Sequence, residues 1–172
     1  MSFWPVPDLM KKDIYEIEPR ALLRRGISFV MLDVDNTLAP YTVNEASQRM
    51  RDWVRDMKNA GLELFILSNN RGERPRIFAE ALEIGYVKKA RKPFTKTAKR
   101  VLAEHGAEPE QTALVGDQIY TDTLCAKSLG AAAVLVRPIK FTSIFLRLRY
   151  WLEAPFRLAG RIKSGRWLEE KA

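Results

Sequence analysis

Two apolar patterns alternate along the chain. Short continuous runs, ISFVMLD (27–33), LELFILS (62–68), TALVGD (112–117) and AAAVLV (131–136), read as strands buried on both faces. Between them, apolar residues recur every three or four positions. In NEASQRMRDWVRDMKNAG (44–61) this spacing puts Met50, Trp53, Val54 and Met57 on one helical face, with Asn44 as the predicted cap and Gly61 as the stop. ERPRIFAEALEIG (73–85), PFTKTAKRVLAEHG (93–106) and residues 119–129 are predicted helices, the first with Pro75 in its opening turn and the last closed by Gly130. PRALLRRG (19–26) is a shorter one, preceded by an apolar, proline-containing leader. Helices inserted between buried strands predict an α/β fold, a central parallel sheet with helices on both faces.

The polar exceptions fall at particular places in this pattern. Asp33 and Asp35 crowd the end of the first run, Ser68 ends the second and Asp117 the third. Ionised carboxylates are costly beside a buried strand, so a turn is the plain reading and a functional site the sharper one. Ligands of open α/β sheets bind beyond the carboxyl ends of the strands, where all of these residues lie.

Composition narrows the chemistry. A chain of 172 residues with 47% hydrophobic and 29% charged residues makes an ordinary single folded unit. Cys125 and His105 are each alone in the chain. That excludes an internal disulfide, a cysteine zinc cluster, a histidine metal site and a Ser-His or Cys-His couple within one chain. Hydrolytic chemistry would run on carboxylates and an oxygen-loving metal. His105 and Cys125 themselves read as structural.

DVDNT (33–37), Ser68 in ILSNN, Lys92 in RKP and GDQIYTD (116–122) resemble, in order, the four motifs of the haloacid dehalogenase (HAD) superfamily, over roughly residues 27–137. The DNT, SNN and KP variants further resemble its cap-less YqeG-type phosphatases, a branch that includes phosphatidylglycerophosphate phosphatases. The resemblance implies a Rossmann-like HAD fold with no cap domain, an Mg²⁺ cofactor and hydrolysis of a phosphomonoester through an aspartyl-phosphate. It implies Asp33 as nucleophile and metal ligand, and Asp35 as general acid/base and ligand through its backbone carbonyl. Ser68 and the amide of Asn69 would hold phosphoryl oxygens, Lys92 would neutralise charge on Asp33 and the phosphoryl group, and Asp117 would complete the metal site. Asp122 would be a neighbouring or direct metal partner, or a helix cap, and Thr37 would support the Asp33 loop by hydrogen bonding. The chemistry agrees with the residue types: a phosphate monoester repels nucleophiles until a cation neutralises it, and a carboxylate nucleophile divides the hydrolysis into two easier steps.

Spacing and charge bear on the substrate. One helix and one strand separate Thr37 from Ser68, and one helix separates Ser68 from Lys92, so neither gap holds a domain and the site is predicted to be open. The formal charge of +8 is concentrated near the C-terminus, where residues 139–166 carry seven basic residues against Glu153 alone. The chain thus divides into a catalytic core with leader (1–138) and a basic amphipathic extension (139–172). In the extension Ile144, Phe145, Leu148, Trp151, Leu152 and Phe156 recur at helical spacing with Arg147 and Arg149 among them, and Pro155 should divide the helix. Aromatic residues and arginines in this pattern predict an interfacial helix on anionic lipid, with Phe3 and Trp4 as a second anchor. No secretory signal and no membrane-spanning run is evident, so the expectation is a cytoplasmic protein, peripheral on the inner face of the membrane, with phosphatidylglycerophosphate as the favoured substrate. Two alternatives remain open: a soluble sugar-phosphate or nucleotide phosphatase whose site an oligomer closes, and an RNA- or ribosome-binding protein with a vestigial core. Nucleic-acid binding is disfavoured, because no recognition module accompanies the basic helix.

Overall fold

In the computed structural model, which describes residues 5–140 and 144–169, the four apolar runs form β2 (Phe29–Leu32), β3 (Glu63–Leu67), β5 (Thr112–Gly116) and β6 (Ala132–Val136). Two short edge strands, β1 (Leu9–Lys11) and β4 (Gly85–Val87), complete a six-stranded parallel sheet in the order β1-β6-β5-β2-β3-β4. The leader is therefore corrected: part of it is an edge strand, pairing with β6 in the register Leu9–Val134. Three residues are too few to show an alternating pattern in the sequence.

Alternation of side chains across the sheet makes two cores. Val30, Leu32, Leu64, Ile66, Ala113 and Val115 pack on one face against α2 (Gln48–Asn59) and α3 (Arg74–Leu82). Phe29, Met31, Phe65, Leu67 and Leu114 pack on the other against α4 (Lys96–His105) and α5 (Leu124–Leu129). Both faces are covered, which is why these strands read as unbroken apolar runs. α1 (Pro19–Leu23) precedes β2 and buries Leu22 in the first core. Cys125 is buried in the second core, and His105 pairs with Glu63 at 2.5 Å and packs on Phe29 and Phe65.

Helix ends differ from the pattern in instructive ways. The cap of α2 is Ser47, whose Oγ accepts from the Met50 amide at 3.2 Å, rather than Asn44. Asn44 instead holds Arg74. α3 stops at Glu83, in the left-handed conformation (φ 53°), two residues before the glycine expected to end it. Gly85 serves another purpose, since a Cβ there would sit 2.5 Å from the Phe65 ring. The predicted helix over 119–129 opens as a wide turn of π type (Ile119–Thr123) before α5.

Pro155 does divide the C-terminal helix, into α6 (Ile144–Leu152) and α7 (Ala154–Glu169). α7 crosses β1, and Gly160 allows the approach, because a Cβ there would lie 2.5 Å from Pro7 Cγ. Ser164 Oγ accepts from the Met10 amide at 3.0 Å. Asp8 joins three elements: its carboxylate accepts from the Ala133 amide at 2.8 Å, pairs with Lys127 of α5, and pairs with Lys163 of α7 at 2.7 Å. Burial works against ionisation of Asp8, but these donors outweigh it and hold its pKa below the ordinary carboxylate value. Among the described residues no helix is long and apolar enough to cross a membrane.

Candidate active site

β2, β3 and β5 end side by side, and the site is assembled from the loops that leave them. β2 and β5 are neighbours, but the chain leaves β2 for β3 on one side and leaves β5 for β6 on the other, so a crevice opens between them. Asp33 continues β2 by donating its amide to the Val115 carbonyl at 2.9 Å. The chain then turns tightly: the amides of Leu38 and Ala39 both donate to the Val34 carbonyl, and Asn36 sits at φ 61°. Asparagine tolerates that left-handed conformation better than most residues, and its side-chain amide donates to the Lys140 carbonyl at 2.9 Å.

Lys92 is the centre of charge. Its Nζ lies 2.8 Å from Asp33 Oδ1 and 2.6 Å from Asp122 Oδ1, and all three side chains are buried. Asn69 fixes the lysine from behind, accepting from its amide at 2.7 Å and donating to its carbonyl at 2.9 Å. Ser68 Oγ accepts from the Asn70 amide at 3.2 Å, leaving its hydroxyl proton for another partner. Asp122 Oδ2 accepts from the Gln118 amide at 3.1 Å and presses on the Gly116 backbone, where a Cβ would come within 2.2 Å of its carboxyl carbon. Only glycine at 116 lets Asp122 approach Lys92.

A divalent metal fits this arrangement. Carboxylate oxygens of Asp33, Asp117 and Asp122 lie within 4.8 Å of one another. Both oxygens of Asp117 are buried without a hydrogen-bond partner, and a buried carboxylate left so is costly unless a cation answers it. An all-oxygen donor set suits a hard ion. Burial, and then the neighbouring Asp122 and Asp33, push the Asp117 pKa well above the ordinary value. Burial also raises Asp33 to about 6, against the pull of Lys92 and with a further push from Asp122. Lys92 is shifted upward, because the attraction of Asp122 and Asp33 exceeds the cost of burying it.

The sequence-predicted residues thus converge, with differences. Asp33, Asp35, Ser68, Asn69, Lys92 and Asp122 line one open cavity of about 210 Å³. Asp117 lies beneath it, buried, as part of the acidic cluster. The Asp35 carboxylate stays outside that cluster: Oδ1 accepts from Arg74 Nε and Oδ2 from Asn70 Nδ2, each at 2.8 Å. Thr37 is tied into the Asp33 loop through its backbone, its amide donating to the Val34 carbonyl at 3.3 Å, while its Oγ1 is buried without a hydrogen-bond partner.

Arg74 and Tyr41 were not legible in the sequence. Arg74 opens α3 and spreads its guanidinium over the loop 39–44, donating to the carbonyls of Pro40 and Tyr41 at 3.2 and 3.3 Å, to that of Val43, and to Asn44 Oδ1 at 2.9 Å. This fixes Tyr41 on the cavity wall, where burial and the acids Asp117, Asp35 and Asp33 raise its pKa to about 12. In GERPR the arginine reads as an ordinary solvated helix start.

The C-terminal helices reach the site too. Arg157 donates to the Asp117 carbonyl at 2.8 Å and pairs with Glu153 at 2.7 Å, and Glu153 accepts from the Ile119 amide at 3.0 Å. Arg149 and Phe156, predicted to face lipid, are half-buried against the loop after β5: Arg149 donates to Gln118 Oε1 at 2.8 Å, and the Phe156 ring meets Tyr120 edge-on. Leu148, Trp151 and Leu152 remain outward at 59, 80 and 61% exposure, with Arg147 exposed beside them. The side chain of Phe145, and the residues Phe3 and Trp4, lie outside the described part of the structure.

Comparison with known proteins agrees with this architecture. Residues 89–141 match the HAD-hydrolase-like family model. The "Probable phosphatase YqeG" of Bacillus subtilis is 33% identical over 141 residues, 82% of this chain and 82% of that protein. Phosphatidylglycerophosphate phosphatase 1 of Arabidopsis thaliana (chloroplastic/mitochondrial) is 28% identical over 143 residues, 78% of this chain but 41% of that longer protein. Among solved structures, the cobalt-bound deoxy-D-mannose-octulosonate 8-phosphate phosphatase YrbI of Haemophilus influenzae shares the fold with a TM-score of 0.54 at 18% identity, over 74% of this chain and 77% of that one. An uncharacterised protein from Corynebacterium glutamicum does so with a TM-score of 0.54 at 19% identity, over 76% and 95%. The extent of the likeness to YqeG, joined to this fold, places the chain in the haloacid dehalogenase superfamily, in its YqeG-type phosphatase branch.

Proposed function

We propose that this phosphatase is Mg²⁺-dependent, works through an aspartyl-phosphate on Asp33, and removes the terminal phosphate of phosphatidylglycerophosphate at an anionic membrane surface. The observation that carries the chemistry is Lys92 bridging Asp33 and Asp122 beside the unpartnered carboxylate of Asp117. Held by Asp33, Asp117, Asp122 and the Asp35 carbonyl, the cation would neutralise the phosphoryl oxygens and so lower the barrier to an anionic nucleophile.

The chain's own residues supply the remainder. The Ser68 hydroxyl and the Asn69 amide donate to the phosphoryl oxygens, and the Lys92 ammonium offsets charge in a transition state that depends mainly on positioning. Asp33 attacks phosphorus; the bond to the leaving oxygen breaks, and that oxygen takes a proton from Asp35. In the second half Asp35 takes a proton from water, the water oxygen attacks phosphorus, and Asp33 and inorganic phosphate are released. Asp35 keeps a free lone pair on each oxygen beside its two donors, so it can carry a proton in place. Asn70 is neutral and Arg74 charged, so Oδ2, on the Asn70 side, is the favoured oxygen for it.

The lipid substrate is supported by the open site and by the exposed apolar face of α6 with its basic neighbours. The name of the plant relative points the same way. With phosphatidylglycerophosphate in mixed micelles, Mg²⁺ should give phosphate release that chelation stops, and Asp33→Asn should abolish turnover with an unchanged circular dichroism spectrum. No release from the lipid alongside efficient cleavage of soluble sugar phosphates would refute the substrate; activity surviving in Asp33→Asn would refute the mechanism.

A further inference from the structure

Next to the catalytic cavity lies a second one of about 470 Å³, lined by Asn69, Arg71, Lys89 and Arg91. Asn69 belongs to both walls. Among the described residues, neither Arg71, Lys89 nor Arg91 has an acidic partner, and this sets them apart from their neighbours. Lys88 pairs with Glu73 at 2.6 Å, Arg74 with Asp35 at 2.8 Å, and Arg76 with Glu73 and Glu80 at 2.8 and 2.7 Å. Lysines and arginines crowd together after β3 and β4, and the three without an acidic partner are exposed, so a bound anion would lower their mutual repulsion beyond what water and salt do.

The backbone at these positions is unusual as well. Lys89 and Arg91 both adopt left-handed conformations, with φ of 56° and 60°, on either side of the buried Ala90. Glycine or asparagine would occupy such positions at less cost. The segment is held in place, since the Lys89 amide donates to the Asn70 carbonyl at 3.1 Å and the Ala90 amide to the Ser68 carbonyl at 2.9 Å. Long basic side chains kept on a strained, anchored segment beside a catalytic cavity point to a ligand for them.

We propose that this cavity is a subsite for a second anionic group, a phosphate or phosphodiester on the same molecule as the scissile phosphomonoester. The inference rests on the phosphoryl group lying in the neighbouring cavity beside Asp33. A phosphodiester keeps its charge at any physiological pH and offers oxygens to the forked donors of two arginines. The common wall at Asn69 implies a short linker between the two anions. The preferred substrates are therefore doubly anionic compounds of the glycerol-bridged kind, and singly phosphorylated metabolites engage only half of the site.

The test uses two soluble compounds that differ in the second anion and carry no acyl chains, glycerophosphoglycerol phosphate and glycerol 3-phosphate. Full-length protein should favour the first by at least about tenfold in kcat/KM, expressed in KM and weakened by salt. Replacing Arg71, Lys89 and Arg91 together by glutamine should lower that preference by about tenfold or more, the scale of a lost charged contact. Lys89→Gly and Arg91→Gly, which suit the left-handed backbone, should lower it too and guard against misfolding as the cause. An unchanged preference overturns the proposal. So does a preference kept while binding to phosphatidylglycerol vesicles is lost, which would assign the cations to a surface. If neither compound is turned over, the substrate reading fails. Titration of both into Asp33→Asn protein then decides the subsite: tighter binding of the doubly anionic compound, lost in the triple variant, supports it, and equal binding refutes it.

Discussion

Asp117 concentrates the tension of the site in one side chain, a carboxylate buried with both oxygens unpartnered. Its pKa is raised, as is that of Asp33, so the metal-free folded protein holds protons that the unfolded chain releases. Stability of the metal-free protein therefore falls as pH rises, for Asp33 between the ordinary value of 3.8 and about 6, and for Asp117 over a range that also lies above 3.8. A cation must displace those protons, so Mg²⁺ affinity should climb with pH, measurable by calorimetry at pH 6 and 7.5. Asp117→Asn should raise the melting temperature in chelator at pH 8, by roughly 2–4 °C per kcal/mol recovered, and abolish the further rise that Mg²⁺ should give the parent protein. A variant that melts lower in chelator, or still responds to Mg²⁺, would contradict this account. The acids at strand ends were legible because each interrupts an apolar run. That Asp122 faces Lys92 was not, since the approach depends on the bare backbone of Gly116.

At the scale of elements, the first turn of α3 controls a loop that it does not touch in sequence. Arg74 gathers the carbonyls of residues 40, 41 and 43 and the Asp35 carboxylate onto one guanidinium. Arg74→Ala should lower kcat by about tenfold to a hundredfold by loosening Asp35, the proposed acid/base group. Amide hydrogen exchange over residues 39–44 should quicken in the same variant, and unchanged exchange would show that the loop holds without the arginine. Arg74→Lys keeps a charge but not the fork, and should recover little. The four central strands and most helices could be read from periodicity, because both faces of the sheet are covered and the helices are amphipathic. The two edge strands could not, being three residues each. Neither could the role of Arg74, whose partners are 30 to 39 residues away in the chain.

Across the whole molecule, the C-terminal helices both carry the outward apolar face and support the loop after β5 that holds Asp117. Arg157 and Glu153 are buried together, and between them they hold the Asp117 carbonyl and the Ile119 amide. Arg157→Met leaves the buried Glu153 with only Arg149, 3.8 Å away, and the Ile119 amide, which should cost about 3 kcal/mol in denaturant unfolding, the low end for a broken buried pair. Replacing both, with Glu153→Leu added, should restore much of that stability yet leave Mg²⁺ binding weakened, because the carbonyl and amide have lost their partners. Full recovery of both would mean that the pair serves the fold alone. β1 shows what this wiring demands of the chain in time. Leu9–Lys11 finds its sheet partner only in residues 134–136, and α7, which covers it, comes later still. During synthesis β1 must wait, with an open edge, until β6 has followed it, and α7, which packs on β1, can settle only after that.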